Sequence, residues 1–264
     1  MLLVVDIGNT NTHLGLCLEG KVEKAWDIPT SSQGGPRTLM QAVRAGIPPK
    51  GDRRINGACV ASVVPAMDSL WWTVLEKTFR ASPVWVTSKL PLGIEIRYKP
   101  ASGVGADRIA NAVGGFKKYA GPLIIIDFGT AVTFDVIDAQ GNYLGGVIGP
   151  GIGLTLSALH RGTSLLPKIE LRNPPPHVLG QDTASAMRSG IVVGFTGMIK
   201  EIVQRLKAEL HFGDELKVVA TGGYSEAITK QLPFVSATNP LLTLEGLCEI
   251  HARVSRKPRA AEGA

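Results

Sequence analysis

Two stretches decide how this chain is read: Leu2-Leu-Val-Val-Asp-Ile-Gly-Asn-Thr-Asn-Thr12 and Leu123-Ile-Ile-Ile-Asp-Phe-Gly-Thr-Ala-Val-Thr133. Each begins as a short apolar run, the mark of a buried strand, and each run ends on an aspartate. Asp6, Gly8 and Thr12 align with Asp127, Gly129 and Thr133 without a gap. Two more strand-like runs follow each time. In the first half they are Thr12–Leu18 and Lys21–Ile28 around Glu19-Gly20; in the second, Ala131–Ile137 and Tyr143–Ile148 around Gln140-Gly141-Asn142. A lone D-x-G-x-x-x-T arises easily by chance. Its return within the same order of strand, acid, strand, turn and strand points to a duplication of half the chain, not to a short solenoid period. The division falls near Ala120-Gly121-Pro122, giving halves 1–120 and 121–264. No low-complexity linker separates them, so they are expected to share a cleft.

The remaining periodicity fits an α/β chain. Helical spacing predicts helices over Thr38–Gly46, Asp68–Phe79, Gly103–Tyr119, Gln181–Leu210 and Leu241–Ser255, and strands over Gly57–Val64, Pro83–Thr87 and Lys217–Ala220. The 264 residues are 44% hydrophobic and 19% charged, which excludes a chain disordered throughout and a purely nucleic-acid-binding module. Half of the net charge of +6 comes from Arg253, Arg256, Lys257 and Arg259 against Glu262, a C-terminal tail read as solvated, with a small polyanion patch as the alternative. Cys17, Cys59 and Cys248 show no metal or disulfide spacing and read as buried thiols in a reducing compartment. The N-terminus lacks a signal-peptide pattern. The charge-free stretch Ala139–Leu159 is broken by seven glycines and prolines and reads as strand, turn and helix start. A cytoplasmic protein without membrane contact is expected.

A strand that ends in Asp and turns through Gly presents backbone N–H groups and a carboxylate at one edge. Thr10, Thr12, Thr130 and Thr133 add hydroxyls. Such a loop can hold phosphate oxygens while the Asp holds a cation that bridges them. The plainer alternative is a pair of tight turns closed by Asx hydrogen bonds. Duplication weighs against it. No Walker-type G-x-x-x-x-G-K-[ST] occurs, and Gly149–Gly153 does not fit a dinucleotide fingerprint. In Gly105-Ala-Asp-Arg108, an aspartate that can accept an alcohol's proton stands beside an arginine that can bind phosphoryl or carboxylate oxygens. A helix N-terminal carboxylate next to a surface arginine would read the same way.

The duplicated unit, with Thr221-Gly-Gly223 late in the chain, resembles the actin, Hsp70 and sugar-kinase superfamily. Within it, the ordered set D-I-G-N-T-N-T, G-A-D-R, D-F-G-T-A, G-G-V-I-x-P-G (Gly145–Gly151), T-G-G and P-L-L-T-L-E-G-L (Pro240–Leu247) is similar to type III pantothenate kinases. The resemblance implies two ribonuclease-H-like, actin-like α/β domains with mixed five-stranded sheets and an interdomain cleft. It implies ATP-dependent phosphorylation of pantothenate to 4'-phosphopantothenate, the first step toward coenzyme A. It gives Asp107 the role of catalytic base. Asp6, Ile7, Gly8, Asn9, Thr10, Asn11, Thr12 and His13 become the first ATP loop, and Thr130 a further phosphate contact. Asp6 positions Mg²⁺, through water, and Asp127 holds a monovalent cation, K⁺ or NH₄⁺. Tyr98, Gly105, Ala106, Asp107, Arg108 and Thr183 face the substrate, Thr183 from the neighbouring subunit of a homodimer. Gly222-Gly223 lie near the adenosine. Two positions depart from the family pattern. The segment from Pro100 to Gly105 is a residue longer, which bears on Tyr98, and His13 replaces an aliphatic residue and reads as an exposed variant, not a catalyst. The alternatives are another kinase or phosphohydrolase of the superfamily, and a non-catalytic transcriptional accessory factor. Only the basic tail favours nucleic acid.

Overall fold

The computed structural model describes residues 1–48, 55–80, 82–171 and 177–255. The chain forms two compact units, one built from Met1–Lys118 together with the chain from Leu241 on, the other from Tyr119–Pro240.

In the first unit, β1 (Leu2–Ile7), β2 (Asn11–Leu18), β3 (Lys21–Pro29), β4 (Gly57–Ser62) and β5 (Pro83–Trp85) make a five-stranded sheet in the order β3-β2-β1-β4-β5. β1 pairs antiparallel with β2 and parallel with β4. A central strand covered on both faces must be apolar throughout, which is why Leu3, Val4 and Val5 are all fully buried. On one face Leu3, Val5, Ile7, Leu14 and Val60 pack with α1 (Gly35–Ala45) and α2 (Pro65–Phe79) around Trp71. The sheet also packs against α7 (Leu242–Ser255). That helix crosses α3 (Ala106–Tyr119) where Gly114 and Gly246 meet backbone to backbone, so that a Cβ on Gly114 would come within 2.9 Å of the Gly246 Cα. Thr243 Oγ1 donates to Asn111 Oδ1 at 2.7 Å, and Lys118 pairs with Glu245 at 2.8 Å across the same crossing. The P-L-L-T-L-E-G-L signature is thus the start of α7 and the seat of α3.

In the second unit, β6 (Leu123–Phe128), β7 (Ala131–Ile137), β8 (Tyr143–Pro150), β9 (Lys217–Thr221) and β10 (Ala237–Thr238) repeat the plan in the order β10-β9-β6-β7-β8. α4 (Ile152–Arg161), α5 (Thr183–Glu209) and α6 (Ser225–Thr229) supply Ile152, Ile191, Phe195, Ile199 and Ile228 to a core with Ile124, Ile126, Phe128 and Phe134. The fold is the expected pair of mixed five-stranded α/β sheets.

Three expectations change. A split at residue 120 placed the last helix in the second half; α7 packs instead on β1 and β4 of the first sheet, because its apolar face carries Leu244, Leu247 and Ile250 and finds its complement there. Cys17 on β2 and Cys248 on α7, far apart in sequence, are joined as a disulfide with a Cα–Cα distance of 6.5 Å. Cys59 stays free, and burial pushes its thiol up to about 12. Arg253 belongs to α7 and not to a solvated tail: its Nε bonds Glu249 at 2.7 Å and its Nη1 donates to the Leu92 carbonyl at 2.6 Å. Arg256, Lys257, Arg259 and Glu262 lie outside the described residues.

Candidate active site

The first D-x-G turn is built from its own side chains. β1 delivers Asp6 to the sheet edge, and the chain reverses through Gly8–Asn11 before Thr12 pairs with Ile7. The Gly8 N–H donates to the Asn11 carbonyl at 3.1 Å, and a Cβ on Gly8 would lie 2.9 Å from that oxygen. Thr30, just past β3, closes the turn. Its N–H donates to the Thr10 carbonyl at 3.0 Å and its hydroxyl to the Gly8 carbonyl at 2.7 Å. That uses the only proton on the Thr30 hydroxyl, so Thr12 is the donor in the 2.9 Å bond between the two hydroxyls. Thr12 is buried and props the turn from beneath, whereas Asn9, Thr10 and Asn11 are exposed. Thr30 had no signal in the sequence.

The same sheet edge carries the start of α3. The Val63 N–H, just past β4, bonds the Ile7 carbonyl at 3.1 Å, and a Cβ on Gly105 would touch Val63 at 3.5 Å. The exits of β1 and β4 therefore set where Gly105-Ala-Asp-Arg108 begins its helix. A Cβ on Gly105 would also stand 2.5 Å from Asp107 Oδ1, so a side chain here would make the Asp107 carboxylate shift. Asp107 Oδ1 accepts the Arg108 N–H at 2.8 Å, and Arg108 is buried. Burial raises the Asp107 carboxyl above the ordinary range; the Arg108 N–H and its charge oppose this and are outweighed. A helix N-terminus alone would have lowered it. Tyr98 is exposed and lies against the turn at Ala101–Gly103, with its Cε1 3.5 Å from a Cβ on Gly103.

In the second unit the equivalent turn runs from Gly129 to Ala131, with Phe128 paired to Val132 and Asp127 to Thr133. It is one residue shorter than the first, so the ungapped match of Thr12 with Thr133 gives way: across from the strand-end aspartates stand His13 and Thr133. Two glycines pin this turn. Gly222, at φ +86°, leaves no space beside Asp127 Oδ1 and Phe128 N, at 2.6 and 2.7 Å from its notional Cβ. Gly151, ahead of α4, abuts the Gly129 and Thr130 carbonyls. The T-G-G and G-P-G segments thus both serve the loop that carries Asp127 and Thr130. Asp135, fully buried on β7, accepts the Tyr143 hydroxyl at 2.9 Å and a 3.3 Å bond from Thr133; the sequence reading had not singled it out.

Thr183 opens α5 behind the capping residue Asp182 and is exposed. It lines an open cavity of about 800 Å³ with Leu159, Leu166, Gly180, Met187 and Ile191. Among the described residues no three His, Cys, Asp or Glu side chains converge on a metal position. Asp6 and Asp127 are single carboxylates, a donor set suited to hard cations that keep water and phosphate oxygens as their other ligands. Among the described residues no helix is long and apolar enough to cross a membrane.

Residues 2–205 match the family model described as type III pantothenate kinase. A type III pantothenate kinase from Desulfosudis oleivorans is 42% identical over 250 residues, covering 94% of this chain and 97% of the relative. Among solved structures, a Campylobacter jejuni protein assigned to the Baf family of transcriptional activators superposes with a TM-score of 0.60 at 19% identity, covering 95% of this chain and 97% of that one. A ROK family glucokinase from Streptomyces griseus, in complex with glucose and AMPPNP, superposes at 0.53 with 14% identity, covering 97% and 100%. At these identities both structures speak for the fold alone.

Proposed function

The chain belongs to the type III pantothenate kinase family, and on that premise we propose how its residues divide the phosphorylation of pantothenate by ATP. Asp107 is the base: it accepts the proton of the pantothenate hydroxyl as that oxygen attacks the terminal phosphorus and ADP leaves. The observation that carries this reading is the state of the Asp107 carboxyl. One oxygen is fixed by the Arg108 N–H, and burial leaves the group more basic than an ordinary aspartate. Arg108 faces the transferring phosphoryl oxygens or the pantothenate carboxylate. Gly105 and Ala106 let the substrate approach the helix end, and Tyr98 flanks it.

The exposed Asn9, Thr10 and Asn11 of the Asp6–His13 loop, together with Thr130, hold the phosphates of ATP. Asp6, through water, would hold Mg²⁺, and Asp127 would hold K⁺ or NH₄⁺. Both supply charge neutralisation for the transferring group. The protein works in the cytoplasm as a homodimer. Support for the dimer comes from the apolar side chains left open on the second unit: Ile148, Leu154, Leu165, Val178, Leu179 and Val193 are 44–90% exposed.

The test is Asp107→Asn. Turnover falls by about 10²–10⁴-fold with the KM for ATP little changed. Raised in the folded state, the Asp107 pKa favours folding of the protonated form, and that contribution disappears as pH rises through the raised value. The ionised group therefore costs stability at neutral pH, and the amide leaves the melting temperature unchanged or higher. In the wild type the acid limb of kcat/KM lies above that of an ordinary aspartate. A near-wild-type rate for the variant removes Asp107 from the mechanism.

A further inference from the structure

Between β4 and α2 the chain passes through Val63 and Val64, which belong to neither element. This link touches both parts of the first unit's site. Its Val63 N–H donates to the carbonyl of Ile7, the residue before the Gly8 turn, at 3.1 Å. Its Val63 Cγ1 stands 3.5 Å from a Cβ on Gly105, two residues ahead of Asp107. Gly105 in turn opens the hydrogen bonding of α3, with its carbonyl accepting the Ile109 N–H at 3.0 Å. A single hydroxyl fastens the link. Ser62, the last residue of β4, donates its Oγ proton to Asp68 Oδ1 at 2.6 Å, and the same oxygen accepts the Val64 N–H at 3.2 Å. Asp68 lies in the first turn of α2, and Val64 at the capping position makes no side-chain bond of its own. The pair therefore ties the end of the strand to the start of the helix across Val63. Both residues are half-buried.

We propose that Ser62 and Asp68 are positioning residues for Asp107: they lock the link so that the Val63 side chain is a fixed stop against Gly105, from which α3 and its carboxylate are set. This rests on the reading of Asp107 as the base and deepens it. Neither residue touches substrate. A base must meet the attacking hydroxyl within hydrogen-bond reach, and a displacement of about 1 Å costs on the order of 10²-fold in rate. Gly105 has no side chain to hold its own place, so its position depends on the surface that it rests against. Without the Ser62–Asp68 bond the main chain of Val63 is still held by Ile7, but its side chain is free to turn with the link. A plain cap for α2 would use the same two bonds. It would not act through Asp107.

The experiment measures steady-state phosphorylation of pantothenate and thermal unfolding for wild type, Ser62→Ala, Ser62→Thr, Asp68→Leu, Asp68→Asn, Asp107→Asn and the double variant Ser62→Ala/Asp107→Asn. Ser62→Ala lowers kcat by about tenfold and leaves the KM for ATP within about twofold, because the bond from the Val63 N–H to Ile7 survives. Asp68→Leu, which removes the acceptor, does the same. Ser62→Thr keeps the hydroxyl and Asp68→Asn keeps an acceptor oxygen, so both stay within about threefold of the wild-type kcat. In the Asp107→Asn background Ser62→Ala lowers kcat by less than about twofold, since the group that it positions is already gone. A tenfold loss that persists in that background overturns the proposal. So does a lowered melting temperature with kcat within twofold of wild type, the mark of a plain cap. If Ser62→Ala does not fold at the assay temperature, Asp68→Leu takes its place in the same comparison. A near-wild-type rate for Asp107→Asn overturns this proposal and the reading of Asp107 as base together; a slow Asp107→Asn with an unaffected Ser62→Ala overturns this proposal alone.

Discussion

The two hairpins share strand order and the D-x-G turn, yet they are held by different means. The first is closed by side chains, with Thr12 and Thr30 passing a chain of hydroxyl bonds to the Gly8 carbonyl. The second is closed by backbone, with Gly151 and Gly222 pressed onto the Gly129–Thr130 carbonyls and the Asp127 side chain. A hydroxyl network can lose one member and relax. A glycine contact has no slack, because any side chain must occupy space already filled. The duplicated loops are thus one turn held by two kinds of fastening, and they should fail differently.

The largest effect is expected at the second turn's carboxylate. Asp127→Asn lowers kcat by about 10²-fold and abolishes the difference between K⁺ and Na⁺ assays; a variant that still responds to K⁺ takes the monovalent site away from this turn. Gly222→Ala comes next. The methyl would stand 2.6–2.7 Å from Asp127 Oδ1 and Phe128 N at a backbone φ of +86°, so the loop must shift. A loss of about 2–3 kcal/mol in unfolding free energy is expected, with kcat/KM for ATP down at least tenfold. Thr30→Val acts on the first turn and costs two hydrogen bonds at about 1 kcal/mol each. The KM for ATP rises by about fivefold with kcat retained; an unchanged KM means the hydroxyl chain does not set the loop. Smallest is Thr133→Val. Its one described bond is long, and both stability and KM should stay within about twofold.

The sequence made the fold legible because its strongest signals were local: apolar runs ending in Asp, a turn glycine, and helical spacing. What it hid was long-range. Thr30 reaches the first turn from beyond β3, Gly151 and Gly222 reach the second from elements after it, and Cys17 meets Cys248 across most of the chain. None of these pairings leaves a spacing to count. The ungapped alignment of the two halves failed for a related reason. Loop length is fixed by which residues face one another across the ladder, and only the register shows that His13, not Thr12, answers Thr133. Asp107 was legible as a residue type, but its state was not. Its acidity follows from burial, against the pull of the Arg108 N–H and charge.

The central claim is that a phosphoryl group passes from ATP to an alcohol of pantothenate whose proton Asp107 accepts. It is tested most directly by identifying the products formed from ATP, Mg²⁺ and pantothenate, first with K⁺ and then with Na⁺ alone. Phosphopantothenate and ADP in equal amounts, formed rapidly only with K⁺, is the predicted result. Free phosphate released at the same rate with or without pantothenate would contradict it.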